Sequence, residues 1–231
     1  MLQRMRSRVA TARATSLSLL RCVRDIRALN GKTNTQILAD FCFQYAIRPK
    51  QVSDELIRLF EMVSELQPRN ALEIGTCTGG TLFMTCRVAD PGATIISVDL
   101  PGGRFGHGYV WPRKFVYQCF AKNNQTLHLL REDSHENATL NLVRSLLAEN
   151  SLDFLFIDGD HTYKGVRADF EMYAPIVRRG GLIAFHDIVK HPPQAECEVE
   201  RFWNEIKHFY RHVEIIKDPL QGWAGIGVLY I

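Results

Sequence analysis

Between a short apolar run and a helix-like segment the chain reads Leu72-Glu73-Ile74-Gly75-Thr76-Cys77-Thr78-Gly79-Gly80, and few folds can use such a stretch. Ala71 to Ile74 is strand-like, Gly75 to Gly79 is a glycine-rich turn, and a helix runs on from Gly80 through Thr81-Leu82-Phe83-Met84. A strand, a tight turn and a helix in succession aim backbone N–H groups and the positive end of a helix at one point. Glu73 adds a second constraint. A loop built only to cradle phosphate needs no carboxylate on its strand side, so the acid points to a ligand with positive charge.

The flanking sequence repeats this unit. Ser53-Asp54-Glu55 opens a helix with Leu56, Ile57, Leu59, Phe60, Val63 and Leu66 at helical spacing, and Pro68 lies just beyond it. Ala71–Ile74, Thr94–Val98, Leu127–Leu130, Asp153–Ile157 and Leu182–Phe185 read as five strands, and Val213–Ile216 and Gly227–Tyr230 as two more. Helices are expected over Gly80–Val88, Lys114–Asn123, Glu136–Glu149, Tyr163–Arg178 and Glu196–Tyr210, with Gly180-Gly181 stopping the fourth. The result is an α/β, doubly wound, mostly parallel sheet of seven strands with helices on both faces. The connection Asp218 to Gly225 is too short for a crossover, so the last two strands should form an antiparallel hairpin.

With 231 residues, 46% hydrophobic, the chain can bury one sizeable core. The expected division is an Arg-rich helical extension over 1–50 and one domain over 51–231. A net charge of +3 gives no reason to invoke nucleic acid. The excess is local: Arg4, Arg6, Arg8, Arg13, Arg21, Arg24 and Arg27 stand against Asp25 in the first 27 residues. That region resembles a transit peptide in composition. Leu17, Leu19, Leu20 and Val23 also suit one face of a basic amphipathic helix that caps the core, joins two copies or touches a membrane surface; a solvated cap is the preferred reading. No apolar run is long enough to span a bilayer. Six scattered cysteines without C-x-x-C spacing suggest a reducing, cytoplasmic setting and neither a zinc site nor a redox motif.

Ligands of such sheets bind beyond the carboxyl ends of the strands. There the sequence places Glu73, Asp99, Asp133-Ser134, Asp158-Gly159-Asp160-His161 and His186-Asp187. So many carboxylates at one rim call for a cationic ligand, a metal ion, or both. Asp99, 24 residues after Gly75, stands where an acid accepts the two hydroxyls of a ribose. A dinucleotide loop would read G-x-G-x-x-G, but Cys77 takes the second glycine position. A nucleoside with a positive centre and no pyrophosphate suits the loop better.

Glu73-x-Gly75-x-x-x-Gly79, Asp99, Asp133-Ser134 and the antiparallel end strands resemble the Rossmann-like class I S-adenosylmethionine-dependent methyltransferases. The segments Phe156–Tyr163 and Gly180–Asp187 resemble more narrowly the small-molecule O-methyltransferases of the catechol O-methyltransferase-like kind, in the branch that includes cephalosporin-biosynthesis and macrolide-sugar enzymes. The likeness covers about residues 50–231. It implies that Glu73 holds the methionine part of S-adenosylmethionine, that Gly75, Thr76 and Gly79 let the backbone approach it, that Asp99 takes the ribose, and that Asp133 and Ser134 flank adenine. It further implies a divalent metal, such as Mg²⁺, at Asp158, His186 and Asp187, although relatives more often carry Asp-Asn, Asp-Asp or Glu-Asp where His186-Asp187 stands. Imidazole tilts the choice toward a transition metal.

The acceptor would be a hydroxyl on a small molecule, a sugar or a secondary metabolite. Asp158, His161 and His186 are the catalytic candidates, with His161 or His186 as the general base in the absence of metal. His107, Tyr109 and Trp111 suit a lid between Pro101 and Pro112, and His191-Pro192-Pro193 suits the acceptor pocket. A homo-oligomer joined through the N-terminal helices fits the same resemblance. Two other readings stand beside methyl transfer: an iron-dependent hydroxylase using His161, His186 and a nearby acid, and a non-catalytic nucleoside-binding protein.

Overall fold

One sheet carries seven strands in the spatial order β3 (Thr126–Leu130), β2 (Thr94–Val98), β1 (Asn70–Ile74), β4 (Leu152–Ile157), β5 (Val177–His186), β7 (Ile226–Tyr230) and β6 (Arg211–Ile215). The structure, a computed structural model, describes residues 17–29, 34–102, 111–122, 124–148 and 150–231. His107 and Tyr109 of the expected lid and the arginines up to Arg13 lie outside them. Neighbouring strands from β3 to β5 are parallel, and β7 runs antiparallel to both β5 and β6. The chain reverses its winding between β1 and β4, which opens a crevice at their carboxyl ends.

The central strands β1, β2 and β4 are mostly apolar because both faces are covered. Ala71, Ile95, Phe154, Phe156, Ala184 and Val228 face one layer, which contains α1 (Thr35–Gln44), α2 (Ser53–Leu66) and α3 (Gly80–Val88). Leu72, Ile74, Ile96, Leu155, Ile157 and Ile183 face the other layer, with α5 (Asn137–Leu146), α6 (Tyr163–Tyr173) and α7 (Val199–Ile206). The side-chain alternation of a strand thus serves two cores at once. Helix α4 (Trp111–Gln118) precedes β3 and contributes Tyr117, fully buried, to the first core.

The described residues before 51 pack against this core. Leu38, Cys42 and Ile47 are buried in the first cluster, and residues 17–26 form a helix that buries Cys22 and Ile26. Of the expected face, Leu19 packs against the core while Leu17 and Leu20 are exposed, and Cys22 and Ile26 complete the inward side. No helix among the described residues is long and apolar enough to cross a membrane.

The largest departure from expectation follows α6. The pattern predicts helix to Arg178, yet the helix ends at Tyr173, a 3₁₀ turn spans Ala174–Ile176, and β5 starts at Val177. Pro175 has no N–H for an i→i−4 bond, which ends the α-helix there. Gly180 and Gly181 lie within the strand and pair with the C-terminal Ile231. The helices expected over 114–123 and 196–210 are shorter, at Trp111–Gln118 and Val199–Ile206, and the first begins within the segment expected to be a lid.

Candidate active site

The glycine turn is held from three sides. At Gly75, φ is +93°, and a Cβ there would lie 2.0 Å from the Asp158 carbonyl oxygen. The turn after β1 and the turn after β4 therefore touch backbone to backbone, which only glycine permits. At Gly79, φ is +90°, and a Cβ would strike the Tyr117 ring at 2.6 Å. The Tyr117 hydroxyl donates to the Cys77 carbonyl at 2.9 Å. Cys77 itself has φ of +45°, so the side chain that departs from a dinucleotide loop occupies a left-handed position.

Asp99, buried at the end of β2, accepts from the backbone N–H of Thr76 at 3.2 Å and of Cys77 at 3.0 Å, both through Oδ2. Two of the loop amides that the sequence aims at a ligand are thus held by the acid one strand away. Thr76 also bonds Ser97 side chain to side chain, which fixes the loop to β2.

Glu73 lies one layer deeper than the sequence suggests. It is 2% exposed, and neither carboxylate oxygen has a partner in hydrogen-bonding geometry. Burial holds its carboxyl well above the usual range, and the Thr81 side chain offsets this only in part. Thr81 and Gly80 line the cavity in its place.

That cavity, of about 680 Å³, lies along the carboxyl ends of the strands. Gly75, Thr76, Cys77, Thr78 and Asp99 form one part of its wall, with Asp133, Ser134 and His135 beyond. Asp158, His161, His186, Asp187 and His191 form the other part. Of the residues expected from the sequence, Gly75, Thr76, Asp99, Asp133, Ser134, Asp158, His161, His186 and Asp187 line this one space, whereas Glu73 and Gly79 stand behind it.

The adenine-side candidates are structured by their own turn. Asp133 Oδ1 accepts from the His135 N–H at 2.9 Å, and the Ser134 carbonyl accepts from the Tyr173 hydroxyl at 2.8 Å. Ser134 does not cap α5, whose N-cap position is Glu136. His135 Nε2 lies 3.3 Å from Asp169, a fully buried carboxylate on α6. That contact, against the burial that opposes charge, pushes the His135 pKa up to about 9. Burial raises the Asp169 carboxyl in turn. Sequence reasoning missed this pair, since a lone acid on a helix carries no signal.

At the other end of the cavity two carboxylates meet three imidazoles. His186 Nδ1 lies 3.1 Å from Asp158 Oδ1 and 3.2 Å from Asp187 Oδ1. His161 Nδ1 lies 2.8 Å from Asp187 Oδ2, and its Nε2 lies 3.6 Å from Asp158. His191 Nε2 reaches Asp187 Oδ1 at 3.2 Å. Asp187 adopts φ of +66°, so the chain turns sharply as it leaves β5 and brings consecutive side chains to one place. Burial opposes the charge on His161, but hydrogen bonds with Asp187 and Cys197 and the fields of both acids outweigh it and hold its pKa at about 10. His186 is likewise buried, and the field of Asp158 followed by that of Asp187 raises it well above the imidazole range. Burial alone would raise Asp187, yet His186 and the hydrogen bonds from all three histidines hold it well below.

Two contributors come from far away in sequence. Gln51 Nε2 donates to Asp158 Oδ2 at 2.6 Å. Trp223, from the loop between β6 and β7, also lines the cavity, and Glu55 fixes that loop by accepting from Lys217 N, Gln221 Nε2 and Gly225 N. His186 Nε2 is buried and has no partner.

This strand order, glycine turn and ring of strand-end acids define a class I, S-adenosylmethionine-dependent methyltransferase domain. The chain belongs to the family described as Methyltransferase domain (Methyltransf_24), whose model matches residues 72–188, about half its length. Among curated relatives, an uncharacterized protein of Sinorhizobium fredii, y4gI, is 29% identical over 132 residues, covering 54% of this chain and 14% of that protein. An uncharacterized protein of Acanthamoeba polyphaga mimivirus, R132, is 40% identical over 58 residues, 25% of each chain. The matched regions therefore span only a minor part of these curated relatives. Among solved structures, an O-methyltransferase from Bacillus cereus in complex with SAH (S-adenosylhomocysteine) superposes with a TM-score of 0.53 at 16% identity, covering 93% of this chain and 91% of that one. The O-methyltransferase TomG from Streptomyces achromogenes, involved in tomaymycin synthesis and solved with SAM, gives 0.57 at 14% identity over 93% and 89%. At these identities the likeness is one of fold.

Proposed function

We propose that the chain transfers a methyl group from S-adenosylmethionine to a hydroxyl oxygen of a small molecule, with His186 as the general base. The observation that carries this reading is the His186 ring. Its Nδ1 faces Asp158 and Asp187, while its Nε2 is buried, lacks a partner and belongs to a residue on the cavity wall. An imidazole oriented by a carboxylate through one nitrogen presents the other to a reacting proton.

The cofactor suits the site. A space of about 680 Å³ falls within the roughly 300–1,000 Å³ of small-molecule pockets, and its walls divide into a nucleoside half and an acceptor half. Asp99 would take the ribose hydroxyls while steadying the loop, and Asp133, Ser134 and His135 would flank the adenine. Glu73, buried behind Thr81, is kept from direct contact with a ligand, and burial favours its neutral form. When bound, S-adenosylmethionine supplies a methyl group on a positively charged sulfonium. Asp158 and Asp187 would lower the energy of cationic charge gathered at this end of the cavity, and His186 Nε2, whose pKa those acids raise, would accept the acceptor's hydroxyl proton in its neutral form, so the rate should rise with pH. Much of the remaining rate comes from holding donor and acceptor in line.

Magnesium matches this cluster poorly. It prefers a near-octahedral oxygen shell. Here Asp158 Oδ2 is engaged by Gln51, its Oδ1 by His186, and Asp187 by Ala224 N and three imidazoles. The set Asp158, His186 and Asp187 does converge, with ligand atoms within 4.8 Å of one another, but one donor of three is imidazole. Proton transfer is accordingly ascribed to the side chains.

Calorimetric titration with S-adenosylhomocysteine tests the reading. One ligand per chain should bind, and Asp99→Asn should weaken it about 10- to 100-fold, the size of losing hydrogen bonds to a charged group. Absence of binding at millimolar ligand, or an affinity unchanged in Asp99→Asn, would contradict the proposal.

A further inference from the structure

We propose that His161, Asp187, His191 and Cys197 form a zinc site that shares Asp187 with the neighbouring Asp158–His186 pair. The ligand atoms of His161, Asp187 and Cys197 already lie within 4.8 Å of one another. His161 Nδ1 and His191 Nε2 approach Asp187 at 2.8 and 3.2 Å. Zinc bonds of about 2.0–2.3 Å at tetrahedral angles place ligand atoms about 3.3–3.8 Å apart. The separations of 2.8 and 3.2 Å to Asp187, and of no more than 4.8 Å among His161, Asp187 and Cys197, bracket that spacing.

The set is also chemically matched. Two neutral imidazoles, a thiolate and a carboxylate are ordinary zinc ligands, and the two anions balance the charge of Zn²⁺. Each imidazole has its second nitrogen directed at an acceptor, as ligand histidines do. His191 Nδ1 lies 2.8 Å from the Val189 carbonyl, and His161 Nε2 lies 3.6 Å from Asp158.

The fold brings Cys197 to this point through main-chain contacts. Glu198 N donates to the His161 carbonyl at 2.8 Å, which fastens the chain before α7 to the turn after β4. A zinc ion here would clamp residues 190–198 onto the ends of β4 and β5. That segment carries His191, part of the cavity wall on the acceptor side. Spacing explains why the sequence hides the site: its ligands come from three separate turns, and its one cysteine has no C-x-x-C companion.

Metal analysis and cobalt spectroscopy on the full chain test this. Purified wild type should bind one Zn²⁺ per chain. Its Co²⁺ form should show a thiolate-to-cobalt charge-transfer band in the near ultraviolet together with tetrahedral visible bands. Cys197→Ser should abolish the charge-transfer band and weaken Zn²⁺ at least about tenfold, comparable to loss of a supporting ligand contact. His191→Gln, which leaves the thiol in place, should weaken Zn²⁺ while retaining the band. Both variants should keep the wild-type affinity for S-adenosylhomocysteine, so loss of cofactor binding in wild type would count against the functional reading alone. Cobalt bound without a thiolate band, unchanged Zn²⁺ affinity in Cys197→Ser, or no Zn²⁺ bound by wild type would overturn the site.

Discussion

Gly75→Ala tests how the site is assembled, because one methyl group separates two turns that now touch. The added Cβ would sit 2.0 Å from the Asp158 carbonyl oxygen and 2.5 Å from its carbon, both backbone atoms. A tolerable carbon–oxygen approach is about 3.3 Å, so the turns must part by about 1.3 Å. They are held by the bonds Gly75 N to Val98 O at 2.9 Å and Asp158 N to Ile74 O at 2.8 Å. Forced overpacking of this kind costs about 1–3 kcal/mol, and an L side chain at positive φ adds about 1–2 kcal/mol. The expected loss is therefore about 2–5 kcal/mol. With a urea m-value of about 2–3 kcal/mol/M, the midpoint should fall by about 1–2 M. Gly102→Ala is the control: its φ is +77°, but a Cβ there meets nothing within 4 Å. It should lose only the conformational part, about 1 kcal/mol. Because Gly75→Ala displaces Asp158, it should also weaken S-adenosylhomocysteine in whatever fraction remains folded. Equal losses in the two variants would refute the backbone-contact argument.

Other predictions concern single side chains. His186→Gln should reduce kcat about 10²- to 10⁴-fold while leaving S-adenosylhomocysteine affinity intact, measured by steady-state kinetics and calorimetry. His135, held at about 9 against an unfolded value near 6.5, stabilises the fold fully below about pH 6.5, and that contribution fades as pH rises through about 9. Melting temperatures from pH 6 to 10 should therefore fall more steeply in wild type than in His135→Gln, and parallel curves would argue against the Asp169 contact. Glu55→Ala removes an acceptor buried to 1% exposure and strands three donors, so urea melts should show a loss of about 3–5 kcal/mol.

The parts of the fold that the sequence makes legible are those where one pattern meets no rival. The β-branched run Thr94–Val98 is β2 to the residue, and Gly80–Val88 is α3, because each is bounded by turn residues. The strand-end acids were legible as a group because the topology gathers every such end on one rim. Three features escaped for physical reasons. Gly180-Gly181 looks like a helix stop but lies within β5, where a Cβ on Gly181 would come within 2.9 Å of the Asp153 carbonyl. Glu73 looks like a ligand-binding acid because its strand position is right, yet alternation along β1 sends its side chain into the first core, behind the cavity wall. Gln51, Glu55 and Trp223 carry no periodic or motif signal; they matter because α2 and the β6–β7 loop close over the crevice.

The most direct measurement of the central claim is a structure determined with S-adenosylhomocysteine. The ribose hydroxyls should lie at Asp99, the adenine between Asp133 and His135, and the sulfur should point toward the half of the cavity that holds Asp158 and His186. A ligand bound elsewhere, or bound with its sulfur turned away from His186, would contradict it.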